Sequence, residues 1–300
     1  MMRAKNSGIS ASWVFVIPPA AQAVGSIRAL PWPDMNGDSA RLWTDRSCLQ
    51  DVQYRTDANL AARQSIYAYQ QPPQDLPRLA LELTALRGGE TVADVGCGNG
   101  AYLAELARRG HTGPVAGLDL SAGMLRAARN RAPAAGLLAA DAAALPLRDG
   151  ACDLTLAMHM LYHVPGPLAA VRELRRVTRR GGRVLVALNG HDHLAELRDL
   201  VTVAFQEAGG PAVPAVAERM DLDQGEDLLG SVFASVARHD FTAELQIPGP
   251  DPVTGYVRSM LPIQQLSDPE AVVSAVASQL PGSAGGAFRV RTHSGCLICS

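Results

Sequence analysis

Lysine is almost missing from this chain: of its 27 basic residues only Lys5 is a lysine. A phosphate-gripping loop that ends in lysine is thereby excluded, and a Schiff-base lysine would have to come from the N-terminal tail. Cysteine is sparse as well. Five cysteines, an odd number without framework spacing, fit a reducing compartment rather than a disulfide scaffold. Cys296 and Cys299 make a CxxC pair. No second pair accompanies it for zinc and no helix start activates a thiolate, so both read as small apolar residues of a late strand. An excess of one charge is lacking too: a formal net charge of −2 over 300 residues leaves no basic stripe for nucleic acid. No apolar run approaches the roughly 18 residues of a membrane span. The apolar stretch Trp13–Ile17 stops at Pro18-Pro19, short of the roughly 7–15 residues that an export signal needs. Residues 1–40 therefore read as a disordered extension, and a chain starting at Met35 is expected to fold without residues 1–34.

What is present is core-forming material in an ordered pattern. Hydrophobic residues make up 47% of the chain, enough for one large α/β domain with an accessory cap. Thr56–Tyr69 reads as a helix with a Thr/Asp start, Gln71-Pro-Pro breaks it, and Leu76–Leu86 reads as a second helix. Together they suggest an N-terminal helical lid over residues 41–88. Strands are expected near 91–95, 114–119, 136–140, 152–158 and 183–189, within a core spanning 89–209. Their alternation with helical sequence predicts an α/β fold: a Rossmann-like, doubly wound, mostly parallel sheet with helices on both faces. Ligands of such sheets lie beyond the carboxyl ends of the strands. Residues 210–300 follow a Gly209-Gly-Pro break and read as a substrate wall over 210–262 plus the last two strands. Within them a helix is expected near 225–238, a strand over 241–247, helices over 252–261 and 269–280, and a closing strand over 288–299.

The most informative segment is Thr91–Gly100, an apolar strand that runs into a glycine turn (Gly96, Cys97, Gly98, Gly100), with Asp94 two residues before the first glycine. On their own the glycines also fit a dinucleotide fingerprint, with Gly96, Gly98 and Ala101. A dinucleotide, however, sets a pyrophosphate at the following helix N-terminus. Asp94 would repel that dianion. The acid suits a cationic ligand better.

Asp94-Val-Gly-Cys-Gly-Asn-Gly100 resembles motif I of the class I S-adenosylmethionine (SAM)-dependent methyltransferases, and further landmarks follow in order. Val115–Ser121 ends a strand at Asp119, Ala139–Pro146 resembles motif III around Asp141, Cys152–Val164 resembles motif IV, and Gly181–Leu188 resembles the fifth strand. The resemblance covers roughly residues 90–190 and points toward the ubiquinone/menaquinone methyltransferase-like superfamily. It implies SAM as methyl donor and S-adenosylhomocysteine as product, whose cationic groups Asp94 would welcome. It places Gly96, Cys97, Gly98 and Gly100 behind the methionine moiety, with Cys97 there for its small size. Asp119 would hold the ribose diol, Leu120 and Met124 would pack on the adenine, Asp141 and Ala142 would read its edge, and Met158 would end the fourth strand beside it. Tyr54 and Arg63 are candidates to cover the site and pair with the methionine carboxylate. Because SAM is made and kept in the cytosol, a cytoplasmic location is expected.

Methyl transfer is an in-line displacement promoted largely by alignment and desolvation. An acceptor hydroxyl or activated carbon also needs a base, whereas a neutral amine does not. His159 and His163, after the fourth strand, are the candidate catalytic residues; His191 and His193, after the fifth, are further candidates. His159 stands where the family usually has an apolar residue, and both an acceptor-facing role and a structural one fit it. His191-Asp-His193 is too sparse for a metal, and none is expected. Glu218, Asp221, Asp223, Glu226 and Asp227 read either as an acidic rim for a cationic acceptor or as an acid-rich helix start. The expected partner is a small-molecule acceptor of specialised metabolism, methylated on nitrogen or oxygen. No nucleic acid or membrane partner is expected, and the protein is taken as a monomer or homodimer. A nicotinamide-dependent oxidoreductase and a non-catalytic SAM-fold partner protein are the competing readings.

Overall fold

The computed structural model describes residues 44–207, 220–264, 266, 268–280 and 286–300. The expected extension over residues 1–40, and Glu218 of the acidic cluster, lie outside the described residues. In chain order the N-terminal part supplies a π-helical turn (Cys48–Gln53), α1 (Ala58–Ser65), a two-residue β1 (Gln70–Gln71) and α2 (Leu76–Leu83). Asp75 starts α2 by accepting from the Arg78 N–H at 3.1 Å, with Pro77 in the first turn, where its missing N–H costs nothing.

The core then alternates as its sequence pattern demands. It contains β2 (Val92–Val95), α3 (Ala101–Arg108), β3 (Val115–Asp119), α4 (Ala122–Arg131), β4 (Gly136–Ala139), β5 (Cys152–Met158), α5 (Pro167–Val177) and β6 (Thr178–Asn189). These five strands pair in parallel in the order β6-β5-β2-β3-β4. The winding direction reverses at β2, so a crevice opens beside its carboxyl end. Alternate residues of β6 serve opposite faces: Val184, Val186 and Leu188 join one buried cluster, Leu185 and Ala187 another. Both faces are therefore covered, as a parallel sheet requires.

The remaining elements are α6 (Ala195–Glu207), α7 (Leu222–Gly230), β7 (Val236–Ile247), α8 (Pro250–Arg258), α9 (Leu261–Gln264), α10 (Pro269–Gln279) and β8 (Phe288–Cys299). β8 runs antiparallel between β6 and β7, and β1 adds an antiparallel outer rung to β7, giving eight strands. The helix expected over 225–238 is corrected here. It stops at Gly230, and Val236 already pairs with Cys299 in a twelve-residue ladder. The helical spacing of Leu228, Leu229, Val232 and Phe233 is met by a helix plus a turn. Beyond it, the open edge of β8 recruits the chain as strand, tertiary pairing overriding local periodicity. α6, α8 and α10 pack with β7 and β8 through Leu197, Val201, Val253, Val257, Val273 and Val276, a second layer beside the parallel core. Among the described residues no helix is long and apolar enough to cross a membrane.

Candidate functional site

Parallel register brings Val95, Asp119 and Met158 to one end of the sheet, and a cavity of about 680 Å³ opens there. Of the residues expected to bind a cofactor, Tyr54, Arg63, Gly96, Cys97, Gly98, Asp119, Leu120, Met124, Asp141, Ala142 and Met158 all line it. Gly100 and Asp94 do not. Gly100 sits at φ +79°, and a Cβ there would stand 3.0 Å from Ala128 of α4, so it serves helix packing rather than the ligand face. Asp94 lies behind the turn, fully buried.

The turn is held by a carboxylate. Asp119 accepts from the Gly98 N–H and from the Ser121 N–H, both at 2.8 Å, which fixes the glycine backbone against the end of β3. Gly98 adopts φ +53°, a left-handed conformation, and its Cβ direction is open to within 3.7 Å of Leu60, leaving backbone exposed toward the cavity. Ser121 caps α4 by accepting from the Gly123 and Met124 N–H groups at 3.1 and 3.2 Å. The helix thus has its own cap, and Asp119 is free for the turn. Neither oxygen of Asp94 has a hydrogen-bond partner among the described residues. Burial, and then the nearby Asp119, push its carboxyl up to about 8. A buried carboxylate without a partner is costly, and a cation brought to the turn would relieve that cost. Burial also raises Asp119, against the pull of its backbone hydrogen bonds.

The N-terminal segment closes over this half. Ser121 Oγ donates to the Tyr54 carbonyl at 2.7 Å, and Gln50 donates to the Leu120 carbonyl at 2.7 Å. Tyr54 Oη lies 2.9 Å from His163 Nε2, and His163 also meets the Tyr54 and Tyr162 rings edge-on. Arg63 donates to the Ser259 carbonyl at 3.1 Å and to Tyr54 Oη at 3.3 Å. Asp141 accepts from the Ala143 N–H at 2.9 Å and pairs with Arg46 of the same covering segment.

The other half of the cavity is apolar and aromatic, with Leu197, Val201, Phe241, Tyr256 and Met260 in its wall. His159 and Leu194 both line it at positive φ, +53° and +54°, a conformation that costs free energy for side chains and recurs at functional sites. The His159 ring has no hydrogen-bond partner among the described residues, and burial pushes it down to about 4. It is a neutral acceptor and a weak base. His193 also lines the cavity, hydrogen-bonded to Tyr67 at 2.9 Å, whereas His191 is exposed outside it, 3.8 Å from Asp221. Tyr67, Tyr256 and Met260 carried no chemical signal in the sequence, because what gives them meaning is contact with distant segments.

This arrangement bears on two expectations. None of the described acids of the 221–227 cluster reaches the cavity. Asp221 forms a capping box with Gln224, while Asp223 and Glu226 pair with Arg238. The acid-rich helix start is the reading that fits, and the support for a cationic acceptor falls away with the rim. Of the substrate wall expected over 210–262, the described residues Phe241, Tyr256 and Met260 line the cavity, joined by Leu197, Arg198, Val201 and Thr202 of α6. Cys296 and Cys299 are fully buried in β8, their thiols pushed up to about 12 by burial, which leaves no reactive thiolate.

Comparison with known proteins agrees with this geometry. Residues 93–186 match a family model described as a methyltransferase domain. A demethylmenaquinone methyltransferase from Renibacterium salmoninarum is 33% identical over 142 residues, 47% of this chain and 57% of that protein. A malonyl-[acyl-carrier protein] O-methyltransferase from Serratia marcescens is 34% identical over 137 residues, 46% of this chain and 51% of that protein. The chain thus spans about half the length of these curated relatives. A solved structure from Bacillus halodurans C-125 shares the fold with a TM-score of 0.53 at 18% identity, over 74% of this chain and 96% of its own.

Proposed function

We propose that this chain, whose residues 93–186 match a methyltransferase domain, is a class I SAM-dependent methyltransferase that transfers a methyl group from SAM to a nitrogen or oxygen of a small metabolite, in specialised metabolism. The observation that carries the reading is Asp94, a fully buried carboxyl group behind a glycine turn, neither oxygen of which has a hydrogen-bond partner among the described residues. That turn suits a ligand bearing an ammonium and a sulfonium and opposes a pyrophosphate. When bound, SAM supplies a methyl carbon activated by positive sulfur. The residues of this chain do the rest. Asp119 holds the ribose hydroxyls with the lone pairs left over from Gly98 and Ser121. Met124 and Leu120 pack on the base, and Asp141 and Ala142 meet its edge. Tyr54 and Arg63 form the cover that keeps water out, and His163 docks that cover. His159 faces the acceptor as a neutral imidazole and orients a hydroxyl acceptor by accepting its hydrogen bond, the proton passing to water as the methyl is transferred.

Titration calorimetry with SAM, S-adenosylhomocysteine and NAD tests the ligand, with the first two expected to bind and NAD not. Incubation with SAM and an acceptor panel tests the reaction, the expected result being a mass gain of one methyl group on one member. NAD binding in preference to SAM would overturn the reading.

A further inference from the structure

Building on the methyl-transfer reading, we propose that the acceptor is an uncharged molecule presenting an oxygen to Tyr67, whose hydroxyl is locked as a hydrogen-bond donor by the positioning residue His193. The lock follows from two hydrogen bonds. The His293 backbone N–H donates to His193 Nδ1 at 3.0 Å. A ring nitrogen that accepts cannot carry a proton, so the imidazole is neutral and its proton sits on Nε2. Nε2 is 2.9 Å from Tyr67 Oη, so Tyr67 accepts there and must send its own proton elsewhere. No protein acceptor for that proton lies among the described residues, and Tyr67 lines the cavity.

The donor to this relay is itself clamped. The His293 ring is bracketed by Asp192 at 2.6 Å and Asp240 at 2.7 Å. The loop carrying His193 is zipped to β8 by Gly190 N–H to His293 O at 3.0 Å and Leu194 N–H to Arg291 O at 2.9 Å. The loop therefore cannot easily turn the imidazole over. The charges around the cavity point the same way. Its lining carboxylates are Asp75, Asp119 and Asp141 among the described residues. Asp75 is exposed and gives one oxygen to capping α2, and the other two belong to the glycine-turn half. Arg198, which also lines the cavity, donates to the His191 carbonyl at 3.2 Å. An ammonium acceptor finds only the exposed Asp75 outside the glycine-turn half. A hydroxyl finds a donor in Tyr67 and an acceptor in His159.

The test uses the full chain, with and without saturating S-adenosylhomocysteine, titrated with phenol, toluene and benzylamine as probes and followed by ligand-observed NMR. Phenol is expected to bind more tightly than toluene or benzylamine. Tyr67→Phe should weaken phenol about threefold to tenfold, leaving toluene and S-adenosylhomocysteine unchanged. Nitrogen-15 shifts should show the His193 ring protonated on Nε2 alone at pH 7. His193→Gln, which can still donate to Tyr67, should retain more of the phenol preference than His193→Leu. An unchanged phenol-to-toluene ratio in Tyr67→Phe, tighter binding of benzylamine than phenol, or a proton on Nδ1 would overturn the proposal. Failure of the parent protein to bind S-adenosylhomocysteine, with the probe results intact, would instead strike the methyl-transfer reading and leave the Tyr67 assignment standing.

Discussion

The two halves of the cavity answer burial in opposite ways. In the glycine-turn half burial raises two carboxyl groups: Asp94 to about 8, with Asp119 raised as well. In the other half burial lowers two imidazoles: His159 to about 4 and His193 to about 3. Desolvation penalises whichever form is charged. One half is therefore short of a cation, and the other is neutral and stable as it stands. The first is shaped to take charge from a ligand, the second to exclude it. The backbone differs in step: the acid half is built on glycines at positive φ, the neutral half strains His159 and Leu194 into the same region.

The sharpest way to break this comparison is His159→Gly. Glycine takes φ +53° without cost, so the melting temperature should not fall on account of the backbone. Turnover should drop about a hundredfold while S-adenosylhomocysteine affinity holds. Equal losses of rate and affinity would move His159 into the cofactor half. Next in size, Asp119→Ala removes a charged acceptor of two backbone N–H groups. It should weaken SAM binding by about 1.5–3 kcal/mol, readable by calorimetry, and unchanged affinity would remove Asp119 from the ribose.

The pH dependence of stability separates the halves without any ligand. Asp94 holds its proton more tightly folded than unfolded. Its contribution is thus full below the usual carboxylate range and is lost as pH rises toward about 8. His159 and His193 bind protons more weakly folded, so theirs is full above about 6.5 and is lost as pH falls toward about 4 and about 3. Urea unfolding of Asp94→Asn beside the parent should show the variant gaining relative stability from pH 4 to pH 8. A constant gap would mean that Asp94 stays charged in the folded protein. The smallest effect is expected from Arg46→Ala. Its pair with Asp141 is 58% exposed on the arginine side, worth at most about 1 kcal/mol. Releasing Asp141 should raise SAM affinity by less than about threefold, and a large fall would make Arg46 a ligand contact itself.

The acid half was readable because its parts are local. Asp94, the glycines, Asp119 and Asp141 occur in order along adjacent strands, each at a strand end where spacing alone reveals it. The parallel core and β8 follow the predicted boundaries for the same reason, since each strand is an apolar run closed by turn residues, except that β6 starts at Thr178 rather than near 183. The neutral half has no such grammar. Tyr67 reads as an apolar residue of a helix, and only the fold brings it to His193, across 126 positions. The start of β7 was hidden likewise, because Val232 and Phe233 complete a helical stripe whose continuation at Val236 is claimed by a strand pairing that local sequence does not contain.

The place of β8 between β6 and β7 has a consequence for the order in which the molecule assembles during synthesis. Every strand of the parallel core lies within residues 92–189, and these can pair as they emerge. In the sheet β7 joins the core through β8, so, already made, it must wait to pair until residues 288–299 leave the ribosome. β1, which hangs on β7 and follows Tyr67 in the chain, waits with it. The His293 N–H that orients His193 arrives in the same late strand. The nascent chain thus forms its glycine turn early and its acceptor chamber last, in one step that joins β8, β7 and β1.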